Sequence, residues 1–173
     1  MFPLWINILI AISTFFLMEG VAWATHKYIM HGLLWNWHKS HHAPYAGTFE
    51  KNDLFGLVFS VPAAASIMAG IEFAELRFLL WVGMGITAYG IFYVLFHDVL
   101  VHQRIKHGLR PENKYLRRMI RAHKIHHKCT TKEGAEAFGF LYAPPKYEAS
   151  VYKSKDVKQS DLIANQESRH ITQ

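Results

Sequence analysis

Three apolar runs restrict what this chain can fold into. Residues 3–25 are apolar except for Asn7, Ser13, Thr14, Glu19 and Thr25. Residues 54–71 are interrupted only by Ser60 and Ser66, with Pro62 marking a kink, and residues 76–96 only by Arg77, Thr87 and glycines. A helix needs about 20 residues to cross a hydrocarbon core, and there its backbone groups must bond within the segment. The reading is an all-α integral membrane protein with three or four transmembrane helices. Three such runs in 173 residues leave little room for a soluble bundle of buried helices.

Charge gives the spans a direction. The formal net charge is +6, and 15 of the 19 Lys and Arg follow residue 100, leaving Lys27, Lys39, Lys51 and Arg77 before it. Short loops rich in Lys and Arg stay on the cytoplasmic side. The segment between spans one and two, and everything after span three, are therefore expected to be cytoplasmic. The amino terminus and the joint holding Glu72 and Glu75 are expected to face outward. A basic protein invites a nucleic-acid reading, but no DNA- or RNA-binding module is present. Cys129 is alone, which excludes an intrachain disulfide, and no cleavable signal peptide is expected.

Beyond the spans, residues 111–128 read as a helix lying on the membrane. Leu116, Met119, Ile120, His123 and His127 share one face. Arg117, Arg121, Lys124 and Lys128 form the opposite stripe, suited to lipid phosphates or to an acidic electron donor. Residues 137–145, "AFGFLYAPP", are expected to return to the interface. The membrane-embedded domain then covers residues 1–145, and 146–173 form a polar tail.

The cytoplasmic side gathers histidines in two repeated spacings. "HKSHH" at 38–42 and "HKIHH" at 123–127 share the positions i, i+3 and i+4; "HKYIMH" at 26–31 and "HDVLVH" at 97–102 are i, i+5 pairs. On a helix the first figure puts three imidazoles on one face, aimed at one point or divided between two adjacent ions. Five residues turn about 140° past a full turn, so an i, i+5 pair cannot reach one ion from a straight helix. Such pairs serve two ions, or the helix unwinds or carries a π-bulge there. Imidazole is a common ligand for zinc, copper, iron and nickel. Ten histidines exceed the four ligands of a tetrahedral zinc, and a haem pair accounts for two. Shared between two ions they give five each, with one open position on a six-coordinate metal, an arrangement suited to oxygen activation. His107 and His170 fall outside both spacings and read as surface residues.

These figures, with "FEKNDLF" at 49–55, "TAYG" at 87–90 and "KEGAEAFGFLYAPP" at 132–145, resemble the bacterial type of β-carotene hydroxylase within the fatty acid hydroxylase superfamily. The likeness spans most of residues 19–145; Val99 departs from it, standing where the family has glycine. The resemblance implies a non-haem di-iron monooxygenase that hydroxylates carbon 3 of β-ionone rings, taking β-carotene to β-cryptoxanthin and then zeaxanthin. It implies two iron ions, O2 as co-substrate and electrons from a ferredoxin. The metal ligands it implies are His26, His31, His38, His41, His42, His97, His102, His123, His126 and His127. Rival readings are a related hydroxylase or desaturase acting on a fatty acid, sterol or ketolated carotenoid, and a non-enzymatic metal transporter.

Two carboxylates adjoin this set. Asp98 follows His97 and is expected to accept a hydrogen bond from a ligand imidazole, raising its basicity. Glu19 lies seven residues before His26, on nearly the same helix face, and a carboxylate at that depth faces a cavity or the bundle interior. It is expected to reach the metals through the His26 ring and to carry protons, rather than only to tighten packing. Alanine at any one of the ten histidines should abolish or severely reduce turnover, while His107→Ala and His170→Ala retain most of it. A single assay series on membranes carrying each variant checks that division.

Overall fold

The computed structural model of this chain describes residues 2–43 and 49–149, and every described element is helical. Helix α1 (Leu4–Ala24) runs without a break into a π-helical segment, Thr25–Leu33. A one-turn helix α2 (Trp35–His38) and a 3-10 turn, Lys39–His42, follow. After the 3-10 turn Lys51–Asp53 comes α3 (Leu54–Glu72), which contains Pro62. A tight joint, Ala74–Leu76, reverses the chain into α4 (Phe78–Tyr93), which again continues as a π-helix, Val94–Val101. Helix α5 (Lys114–His126) and a short turn, Pro145–Tyr147, complete the described chain.

Three of these helices, Leu4–Leu33, Lys51–Glu72 and Phe78–Val101, are long and apolar enough to cross a membrane. Their outward faces carry large apolar side chains such as Trp5, Leu17 and Met68, each about two-thirds exposed (66%, 70% and 69%). A surface of that kind is stable in lipid and not in water.

Helix α4 is the central element, packed against both α1 and α3. Small residues make the close approach possible, as membrane helices require. A Cβ on Gly83 would lie 2.7 Å from the Ala63 carbonyl oxygen of α3. One on Gly85 would lie 2.5 Å from the Ala11 carbonyl oxygen of α1. Because the joint between α3 and α4 is short, those helices are antiparallel, and the carboxyl ends of α1 and α4 meet at one end of the bundle. There the core joins the spans to α5 through Met18, Ala22, Tyr89, Phe96, Met119 and Ala122.

Two surface expectations change in the structure. Helix α5 begins at Lys114, capped by the Asn113 side chain, which accepts from the Tyr115 and Leu116 amides. Its inner face, with Met119, Ala122, His123 and His126 buried, closes over the ends of the spans. The stretch 137–143 folds inward with it: Phe140 and Ala143 are buried, as is Tyr147, the second residue of the expected tail. The basic stripe is also divided, because Arg121 donates to the Tyr147 carbonyl (2.8 Å) while Arg117, Lys124 and Lys128 lie on the exposed side.

Gly85→Leu should force α4 away from α1, costing about 1–3 kcal/mol or more by overpacking. Gly20→Ala, where a Cβ meets nothing within 4 Å, should be neutral. Thermal unfolding of the two variants in detergent separates these outcomes.

Candidate metal centre

The π-helical segments resolve the problem posed by the i, i+5 pairs. An i→i+5 hydrogen bond brings residues five apart nearly one turn around, onto a common face. The His102 amide donates to the His97 carbonyl (2.9 Å) and the Leu34 amide to the Ile29 carbonyl (2.8 Å). His26 and His31 therefore reach one point, and His97 and His102 reach another. Of the two options open from spacing alone, local rewinding of the helix is the one observed.

The HxxHH figures divide differently. His38 and His42 join His26 and His31, whereas His41 crosses to His97 and His102. On α5, His123 and His127 join the second group and His126 crosses to the first. Each group thus holds one i, i+5 pair, one i, i+4 pair and one histidine from the other figure. All ten histidines come together as two groups of five, with the candidate ligand atoms of each within 4.8 Å of one another. The first group is wholly buried, while His102 and His127 of the second are half-buried. A recess of about 320 Å³, lined in part by His41, His102, His127 and Lys124, leads to the second group.

Hydrogen bonds at Nδ1 fix which nitrogen of each ring faces inward. In the first group, His26 donates to the Phe138 carbonyl (3.0 Å), His31 to Lys132 (3.1 Å), His42 to Cys129 (2.8 Å) and His126 to Glu136 (2.8 Å). His38 donates to Oδ1 of Asn52 (2.7 Å). Every Nε2 in that group is then a bare lone pair. In the second group, His97 donates to Asp98 (2.7 Å), and Nδ1 of His41 lies 3.5 Å from Glu50, whose other oxygen accepts from Arg104 (3.0 Å). Arg104 also pairs with Asp53 (2.8 Å), tying this corner to the start of α3.

The inward nitrogens are too close to be left to themselves. Nε2 of His26 lies 3.1 Å from that of His38, and Nε2 of His31 lies 3.2 Å from those of His42 and His126. In the second group the separations are 3.0 Å for His41–His97, 3.1 Å for His102–His123 and 2.9 Å for His123–His127. Two bare lone pairs cannot hydrogen-bond each other, so the array asks for a cation at its centre. An octahedral ion with bonds of roughly 2.1 Å places neighbouring ligands about 3.0 Å apart, a tetrahedral one about 3.4 Å. The observed edges and the count of five fit the octahedron with one position open. Burial keeps the rings in the neutral, ligating form: it holds His38 and His126 down to about 2, and His42 and His102 down to about 4.

Asp98 stands where its expected role requires, against His97. Glu19 does not. Its carboxylate accepts from the Phe140 and Leu141 amides (2.8 and 2.9 Å) and from the Tyr89 hydroxyl (2.7 Å), while His26 Nδ1 bonds Phe138 instead. The seven-residue spacing put both groups on one helix face, but the 137–143 strap lies between them. His107 is not an idle surface residue: Nε2 donates to the Val99 carbonyl (2.7 Å) and Nδ1 accepts from the Leu109 amide, closing the end of the second π-helix. His170 lies outside the described residues.

Sequence reasoning missed Asn52, Glu50 and the four strap and turn carbonyls. "FEKNDLF" holds the side-chain signal, a polar cluster directly before a span, but its sequence alone does not say which ring each group meets. The carbonyls carry no side-chain signature. Also unforeseen were Tyr93, stacked on His97 (ring centres 4.5 Å apart), and Phe140, stacked on His26 (5.6 Å). Both line a largely apolar cavity of about 790 Å³ between α1, α3 and α4. Its inner end includes Asn52 and Asp98, and its rim includes the exposed residues Ile91, Val94 and Leu95.

Residues 11–143 match the fatty acid hydroxylase family model. The chain is 49% identical over 138 residues to a beta-carotene hydroxylase of Pseudescherichia vulneris, covering 80% of this chain and 77% of the relative. It is 48% identical over 143 residues to a beta-carotene hydroxylase of Pantoea ananas, covering 82% and 81%. Similarity extends to the chloroplastic beta-carotene 3-hydroxylase 1 of Arabidopsis thaliana, 37% over 152 residues, covering 83% of this chain and 48% of the plant protein. No solved structure matches. The histidine array and the family together fit a metal-dependent oxygenase.

Asp98→Asn replaces a charged acceptor on a site imidazole with a neutral one, Asn52→Leu removes an acceptor outright, and each should weaken metal retention, by roughly 10- to 100-fold where the acceptor is lost. Metal competition against a chelator of known affinity measures the effect. The loss should fall on the His97 group for Asp98→Asn and on the His38 group for Asn52→Leu.

Proposed function

We infer the reaction from the premise that this chain belongs to the fatty acid hydroxylase family, and we propose that it hydroxylates carotenoid rings delivered from the bilayer. The substrate proposed is β-carotene, converted at carbon 3 of each β-ionone ring to β-cryptoxanthin and then zeaxanthin, as the names of its bacterial and plant relatives suggest. The observation that carries this reading is an apolar cavity with an exposed side rim, ending on residues that hold the histidine array. A long apolar rod in the lipid could thread one ring end between α3 and α4 without entering water.

The overall change replaces one C–H bond by C–OH. One oxygen atom of O2 enters the product and the other leaves as water, consuming two electrons and two protons. When bound, a pair of iron ions supplies the redox chemistry that cleaves dioxygen. His26, His31, His38, His42 and His126 would hold one ion, and His41, His97, His102, His123 and His127 the other. The chain's own contribution is placement and exclusion. Phe140 and Tyr93 form the wall between the cavity and the rings and set how far a substrate ring advances. Asp98 keeps the inward nitrogen of His97 free of protons, and the Glu50 carboxylate faces Nδ1 of His41 at 3.5 Å. The strap covers the first group, so water and protons reach the centre from the recess beside Lys124.

That recess also suits a ferredoxin-type electron donor. Lys124 lines it, and Arg117 and Lys128 lie on the exposed side of the same helix. Docking of an acidic partner there is steered by charge and fades with salt. The bacterial relatives support placement in a bacterial inner membrane, and the Lys and Arg distribution supports an outward amino terminus with the histidines and carboxyl terminus cytoplasmic. Residues 1–145 are assigned to the hydroxylase domain and 146–173 to a tail.

Cells that make β-carotene should accumulate zeaxanthin when they express this chain. Unchanged pigment in cells holding folded protein would refute the substrate assignment. Elemental analysis of active protein should give two iron atoms per chain, and one metal per chain, or zinc in the active form, would remove the di-iron reading.

A further inference from the structure

Glu19 is the single carboxylate in α1, and its bonds run to the backbone of a distant segment. Oε1 alone accepts both the Phe140 and Leu141 amides, and Oε2 accepts the Tyr89 hydroxyl of α4. Two residues before this clamp the Phe138 carbonyl receives His26, and four residues before it the Glu136 carbonyl receives His126. Ala137, between those carbonyls, has φ 63°, a left-handed conformation that a non-glycine residue adopts only under constraint. The strap has no helix or strand to hold it there. Hydrogen bonds from the opposite side reach this region too, from Tyr115 to the Leu141 carbonyl and from Arg121 to the Tyr147 carbonyl just beyond it. At this depth water is a poor substitute acceptor for the two amides.

We propose that Glu19 is a positioning residue for the wholly buried five-histidine group: it clamps the strap so that the Phe138 and Glu136 carbonyls hold His26 and His126 in register. The proposal rests on the reading that the histidines bind metal. It assigns the carboxylate a geometric role, in which hydrogen-bond acceptance matters and charge does not. The second group should be much less affected, because Asp98 and Glu50, which face His97 and His41, lie outside the strap.

The test uses the full chain purified in detergent and loaded with ferrous ion, with metal per chain and helical content as readouts. The unsubstituted chain should hold two ions; fewer would undermine the metal reading itself, before any variant is considered. Glu19→Leu keeps the volume but offers no acceptor, and it should hold one ion at unchanged helicity. With cobalt as the probe, its spectrum should match that of His26→Ala. Glu19→Gln can still accept both amides through its oxygen and donate to Tyr89, and it should hold two. Gly139→Val approaches from the other side, since a Cβ there would sit 2.6 Å from Glu19 Oε1, and should again leave one ion. The proposal is overturned if Glu19→Leu and Gly139→Val both retain two ions, or if both lose the pair together. It is equally overturned if Glu19→Gln behaves like Glu19→Leu.

Discussion

Everything at the histidine-bearing end of this fold depends on the hydrogen bonds that its rings make through Nδ1. An imidazole carries one proton when neutral, so an oxygen acceptor at Nδ1 leaves Nε2 bare. Seven of the ten rings face such an oxygen, five in one group and two in the other. The bare nitrogens are then held about as far apart as neighbouring ligands on an octahedral ion. The spans, the strap and α5 are arranged around that requirement.

The two groups differ in the charge of their supports. Four backbone carbonyls and one amide oxygen surround the buried group, all neutral. The more open group leans on Asp98 and Glu50, with Arg104 joining Glu50 to Asp53. A carboxylate acceptor raises imidazole basicity more than a carbonyl does, so the open group should stabilise the higher charge on its ion. That group also borders the recess, the side on which electrons and protons would arrive. The crossing of His41 and His126 between groups ties the two centres into one rigid unit, because neither HxxHH helix can shift without moving ligands of both.

Lipid shapes the rest. A site for a bilayer-dissolved substrate needs a lateral opening, and the α3–α4 pair provides one above the close glycine contacts near Gly83. The same apolar exposure that would aggregate a soluble protein serves here as the bundle's outer surface. Polar groups within the spans are few, and two of them, Glu19 and Tyr89, meet one another.

The linear chain determined a good deal by itself. Three apolar runs dictated three helices of spanning length, since hydrocarbon offers the backbone no other partner. The two histidine spacings, with the neighbouring motifs, pointed to a paired metal centre and to this family, because ligand chemistry is carried by side-chain type and interval. What tertiary structure alone decided was how those intervals are used. Whether His26 and His31 serve one ion or two turned on a π-helix, a change in backbone winding with no side-chain marker. Which member of HKSHH crosses over depended on where α5 docks. Glu19 was placed on the correct face, yet its partners came from residues 70 to 122 positions away. Local periodicity fixes the direction in which a side chain points; only the packed chain decides what it meets there.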